Sequence, residues 1–164
     1  MFRFISLIKF YLSATNQHGV HSPFVYNYVT KCLYKKDYLK LPITIRILVK
    51  SINYFKYKSI RLLRPYKALE RVLSSNCPEI SATNLNADII FGSISDFLSE
   101  EINTNQLQND TMVLLDGIYR DGVCADNWKR LKKSEHVRVT IDLFYCGVLF
   151  FRKEQVKEHF KIRI

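Results

Sequence analysis

Residues 136–152 read HVRVTIDLFYCGVLFFR. Two runs rich in β-branched and aromatic residues, 136–145 and 147–152, meet near Cys146-Gly147. The pattern predicts two strands paired antiparallel across a tight bend. Upstream the texture alternates. Residues 111–116 (TMVLLD) read as a buried strand, and 121–132, with Trp128 and Leu131, as a helix. Residues 87–92 (ADIIFG) make another strand, after which Ser95 caps a helix through about 104 that takes in Glu100 and Glu101. Residues 59–64 (SIRLLR) read as a strand and 66–75 (YKALERVLSS) as a helix. Short apolar runs alternating with helical ones are the signature of αβ units around a sheet, so the fold class is α/β. Residues 79–85 (EISATNL) read as a weaker strand, and the tail, 154–164, as a charged segment with a short helix.

Before residue 58 the reading is helical. Helices are predicted over 2–13, 23–34 and 44–55, with Ser22-Pro23 as N-cap and first turn of the second. The expected organisation is an N-terminal helical segment, 1–57, packed as one unit with an α/β domain, 58–164. At 164 residues the chain should bury roughly 70% of its unfolded surface. In the first helix Arg3, Ser6, Lys9 and Ser13 form one polar stripe on an otherwise apolar surface. Packing on the domain and lying on a membrane surface both fit that pattern. Arg3 and Lys9 interrupt the apolar run, which argues against a span or a cleaved signal.

Lys and Arg number 25 against 15 Asp and Glu, a formal charge of +10. The cations fall in patches: Lys31, Lys35, Lys36 and Lys40; then Lys50, Lys56, Lys58, Arg61, Arg64, Lys67 and Arg71, interleaved with Tyr54, Phe55, Tyr57 and Tyr66; then Lys129, Arg130, Lys132 and Lys133. Basic residues among aromatics suit a nucleic-acid backbone and its bases, or simply a solvated face. The cysteines, Cys32, Cys77, Cys124 and Cys146, form no CxxC pair, so free thiols in a cytoplasmic protein are expected, and no metal site. His18 and His21 are read as part of a turn in which His18 and Ser22 satisfy backbone groups. Five glycines are few for an ordinary nucleotide-binding enzyme.

Specific strings go further. The start, TNQHGVHSPFVYNYVTKC, the end, VRVTIDLFYCGVLFFRKEQVKEHFKIRI, and 109–128, NDTMVLLDGIYRDGVCADNW, resemble a bacterial group of class I S-adenosylmethionine-dependent methyltransferases. The resemblance covers nearly the whole chain and implies a Rossmann-like sheet with N-terminal helices and a closing antiparallel hairpin. Members of that family are longer, so the sheet is expected to be short by about one αβ unit. The resemblance also implies S-adenosylmethionine as cofactor, if the chain is active, and an unidentified methyl acceptor or protein partner.

Carried over residue by residue, the resemblance implies an eroded cofactor site. The family's first strand ends in an acid and a Gly-rich loop, which lets backbone amides approach the ligand. Here the place is held by Arg61-Leu62-Leu63-Arg64-Pro65-Tyr66, without glycine or acid, and Pro65 has no amide hydrogen. Arg64 is thus the candidate cofactor-binding residue after the first strand. Asn84 is the candidate where the family places a ribose-binding acid. Asp116, ending strand 111–116, is the matching acid and the candidate catalytic residue. Gly117 follows it where metal-dependent relatives carry a second ligand, and one carboxylate is too few oxygens for Mg²⁺ or Ca²⁺. Strands 79–85 and 87–92 are separated by Asn86 alone, too little for a parallel crossover. Either the first is not a strand or it is not parallel to the second.

Overall fold

The structure is a computed structural model that describes every residue except Glu101, with Asn105 described by its backbone alone. Helices α1 (Phe2–Ser13), α2 (Pro23–Tyr28) and α3 (Ile43–Phe55) come first. Then follow β1 (Ser59–Leu62), α4 (Lys67–Asn76), β2 (Ser81–Ala82), β3 (Ile89–Ser93) and α5 (Ile94–Ser99). The chain closes with β4 (Met112–Asp116), α6 (Gly122–Lys133), β5 (Val139–Asp142), β6 (Cys146–Phe150) and β7 (Glu158–Lys161). The strands form one seven-stranded mixed sheet in the order β2-β1-β3-β4-β6-β5-β7. Only β6 runs against its neighbours; the pairings β1–β2, β1–β3, β3–β4 and β5–β7 are parallel.

The α/β expectation holds because the central strands are apolar on both sides. Along β4, Met112 and Leu114 face one core and Val113 and Leu115 the other. A strand covered by helices on both faces has no polar side to show. Residues of α2, α3 and α4 complete the first core, among them Val25, Tyr28, Leu48, Ile52 and Leu69. Residues of α5 and α6, such as Ile94, Phe97 and Trp128, complete the second. Helices α2 and α3 therefore share a core with the sheet. Ser22 caps α2 as expected, accepting from the Val25 amide. The helix widens to a π-turn over Val29–Leu33, where buried Lys50 Nζ donates to the carbonyls of Leu33 and Lys35. A small third cluster docks α1: Phe10, Ala14 and Phe144, with Leu7, Tyr119 and Tyr145 against them.

Five expectations need correction. First, β2 is parallel to β3, although only residues 83–88 join them. A long crossover exists to bring the chain back along a strand's length. Here β2 is two residues long, and Ala82 and Ile89 both lie level with Ile60, so there is no length to recover. The link bends through Asn86 at φ 51° and returns under Asp88, whose carboxylate accepts from the Lys58 and Ser59 amides. Second, the closing hairpin turns at residues 143–145. Phe144 takes the left-handed conformation (φ 66°), its amide donating to Asp142 Oδ1 and its ring stacked on Tyr119 at 5.2 Å. Gly147 lies within β6 instead. Third, the tail holds β7, and Thr15 adds a parallel bridge to Ile162 beyond it; no helix forms there. Fourth, Ser93 caps α5, and the helix stops at Ser99; Glu101 of the expected longer helix lies outside the described residues. Fifth, at the His18-His21 motif Asn16 makes the backbone cap, accepting from the His18 amide, while the His18 ring contacts the Gln17 side chain.

Candidate functional site

In open α/β sheets ligands bind outside the carboxyl ends of the strands, where strand order reverses. In this sheet β1 is followed by β2 on one side and by β3 on the other. A cavity of about 320 Å³ lies at that reversal, lined by Pro42, Thr44, Ile45, Arg64, Tyr66, Phe91, Gly92, Ser93, Asp96 and Asp116. Its walls are the carboxyl ends of β1, β3 and β4 and the start of α3. The structure thus brings Arg64 and Asp116 into one cavity. It leaves Asn84 out: that residue is exposed in the link after β2 and does not line the cavity.

The side chains here are engaged with one another. Beyond β1 the Leu63 amide still donates to the Phe91 carbonyl at 2.9 Å, so the chain follows β3 one residue further. The Leu63 side chain is buried against Gly92, where a Cβ would come within 2.7 Å of it. Gly92 is therefore a place of close approach, and what approaches is Leu63. Arg64 then reaches Asp96, Nε to Oδ1 at 2.6 Å. Asp96 also accepts from Ser93 Oγ at 2.7 Å, and Ser93 Oγ accepts from the Asp96 amide. The Arg64 side chain is 80% exposed and that of Asp96 14%, so the pair spans the cavity mouth from solvent inward. An ion pair this open adds at most about 1 kcal/mol.

Asp116 accepts a 2.7 Å hydrogen bond from Thr44 Oγ1 of α3. Burial, and then the negative charge of Asp116, hold the Tyr66 phenol above its ordinary value. Gly117 follows at φ 69°, and no side chain crowds the position a Cβ would take; its conformation calls for glycine there. Among the described residues no three His, Cys, Asp or Glu side chains lie where they could hold a metal ion together. Thr44 and Asp96 join the site without having been expected there from the sequence, and Tyr66 enters it from the stretch that follows β1. Asp96 has a signal in the sequence: Ser93-Ile94-Ser95-Asp96 is a capping pattern that places the helix start at Ser93. Thr44 had none, since only the tertiary fold sets the start of α3 beside the end of β4.

Other groups explain themselves as structure. Asp142, 1% exposed at the end of β5, accepts from Tyr119 Oη at 2.6 Å, Trp128 Nε1 at 3.3 Å and the Phe144 amide at 3.0 Å. Burial raises its carboxyl above the ordinary range, against the lowering effect of these donors and of Lys161. In the second basic patch Lys58 pairs with Glu79, Arg61 with Glu100 and Arg64 with Asp96. Three of its aromatics pack on each other and on the core: Phe55 stacks on Tyr57 at 5.2 Å and meets Tyr54 edge-on at 4.8 Å. These three are not a free stacking platform, and the fourth, Tyr66, lines the cavity half exposed. Cavities of about 350 and 400 Å³ open at the opposite, amino edge of the sheet, around Cys77 and around Asp88. That edge lacks the strand reversal's converging carboxyl ends.

Fold and site together define an α/β protein with a seven-stranded mixed sheet and a cavity at its carboxyl edge. No family model, curated protein or solved structure matches the chain.

Proposed function

We propose that the chain is a class I S-adenosylmethionine-dependent methyltransferase-like protein whose cofactor-binding edge is degenerate. It binds S-adenosylmethionine weakly or not at all and acts through contact with another molecule. What carries the reading is the place of Leu63 and Arg64. The Rossmann-like order reverses between β1 and β3, and the closing β5–β6 hairpin is the layout the sequence resemblance implies. At that reversal a cofactor loop needs glycine and free amides. Here Leu63 covers Gly92, Arg64 spans to Asp96, and Pro65 offers no amide. No carboxylate ends β2, and Asn84 faces solvent away from the cavity. The residues present do not fit the cofactor. The short link 83–88 stands where the resemblance leads one to expect a further αβ unit.

Titration calorimetry of the full chain with S-adenosylmethionine tests this. No heat, or a Kd weaker than about 100 μM, is expected; tighter binding refutes the degenerate site. Should turnover on some acceptor be found, Asp116→Ala is expected to abolish it, and undiminished turnover would remove Asp116 from the site.

A further inference from the structure

We infer that α1 is a docking surface for an anionic phospholipid membrane. The helix is held to the domain by one side. Phe10 and the half-buried Leu7 meet Tyr119, Phe144 and Tyr145, and beyond Ser13 the chain is tied to β7 through Thr15. The other side is apolar and bare. Phe4 is 67% exposed and Leu12 84%, and Ile5, Ile8 and Tyr11 are each nearly half exposed. At helical spacing these five fall on one arc of roughly 120°, opposite Phe10. Solvent-facing positions of a soluble helix are ordinarily polar, and a contiguous bare apolar face marks an interaction surface.

Charge selects the occupant. Residues 1–36 contain Arg3, Lys9, Lys31, Lys35 and Lys36 and no acidic side chain, in a chain of charge +10. Lys9 borders the apolar arc, and Arg3 lies on the polar stripe across the helix from it. Both are exposed, and neither is in an ion pair among the described residues. An apolar face bordered by a lysine, with a basic polar stripe behind it, is the composition of helices that lie in the headgroup layer of anionic membranes. The helix has 12 residues, and no helix among the described residues is long and apolar enough to cross a membrane, so α1 would lie in the surface and not traverse it. Since α1 rests on the turns after β4 and β5, docking would turn the sheet's carboxyl edge toward lipid. The inference stands without the methyltransferase reading.

The test is co-sedimentation of the full chain with vesicles of phosphatidylglycerol and phosphatidylcholine, against phosphatidylcholine alone. The chain is expected on the anionic vesicles only, and to leave them as salt rises toward about 0.5 M. Ile8→Glu with Leu12→Glu should weaken partitioning at least about tenfold while the melting temperature holds, since both side chains face solvent. Phe4→Trp should shift its emission to the blue on the anionic vesicles. A wild-type chain that stays in the supernatant, or a double variant that sediments as the wild type does, overturns the inference. So does light scattering that shows a dimer dissociated by the same double change without any vesicle binding, which would give the face to a second copy.

Discussion

Replacing Gly147 with alanine tests how the closing hairpin is packed. Gly147 sits inside β6, paired with Leu115 on β4 and with Asp142 on β5. A methyl group there would lie 2.6 Å from Cη2 and Cζ3 of Trp128 and 2.9 Å from Cζ2. Ordinary carbon contacts are about 3.5–4 Å, so ring or strand must yield by roughly 1 Å. Neither is free to do so. The strand is bonded on both sides, and Trp128 is fully buried with its Nε1 on Asp142. Overpacking of this kind costs about 1–3 kcal/mol, and the rigid surroundings put this site at the top of that range. Restricting the unfolded chain returns about 0.4–1 kcal/mol, which leaves a loss of roughly 2 kcal/mol. For a chain of this size that lowers Tm by about 4–8 °C. Urea denaturation should show a lower midpoint at unchanged m-value. Trp128→Leu removes the obstructing ring, so adding Gly147→Ala to it should cost almost nothing, a coupling of about 2 kcal/mol. Additivity within about 0.5 kcal/mol would refute the steric account.

Two further outcomes follow from burial. The Asp142 carboxyl is raised above its ordinary 3.8, so the folded chain holds that proton more tightly than the unfolded one. Its stabilising share is full below the unfolded value and lost as pH rises through the folded one; wild-type stability should therefore fall relative to Asp142→Asn as pH rises past that ordinary value, and a difference constant with pH in urea titrations would contradict this. Burial pushes the Cys32 thiol up to about 12 and that of Cys77 up to about 11. Mass spectrometry after iodoacetamide treatment at about pH 8 should find both unmodified in the folded chain and alkylated in urea, because the thiolate is the nucleophile; rapid labelling of the folded chain would be the contrary result.

Where one physical cause decided an element, the sequence showed it. The all-apolar run Met112–Leu115 announces a strand buried on both faces, and Ser22-Pro23 announces a helix start. Misreadings came where a distant contact decides. Nothing local says that Phe144 will take φ 66°, because what holds it there is Tyr119 from another turn and Asp142 beneath. The charged tail became β7 because β5 offered it a parallel edge and Thr15 reached over to Ile162. The cavity was half legible: Arg64 follows a strand and Asp116 ends one, so the order of strands carries them to one edge. Asn84 followed a strand only two residues long, at the far edge, and the same rule sent it elsewhere.

The glycines carry the functional reading further than their scarcity alone. The chain has five. Gly147 makes room for Trp128, Gly92 for Leu63 and Gly19 for Thr15, each with a neighbour within 3 Å of where a Cβ would stand. Gly117 supplies a left-handed turn after Asp116, and Gly122 opens α6 with the ring of Phe2 nearby. Each therefore has a partner or a turn within the chain itself. A cofactor loop uses glycine in the opposite way, leaving the space beside the backbone for a ligand. Gly92 is the instructive position, since it stands at the strand reversal where a ligand's approach would be read, and its space belongs to Leu63. Opening that space means shortening Leu63, which is part of the core behind β3, so a ligand entering there would compete directly with the packing of Ile90, Ile94 and Phe97.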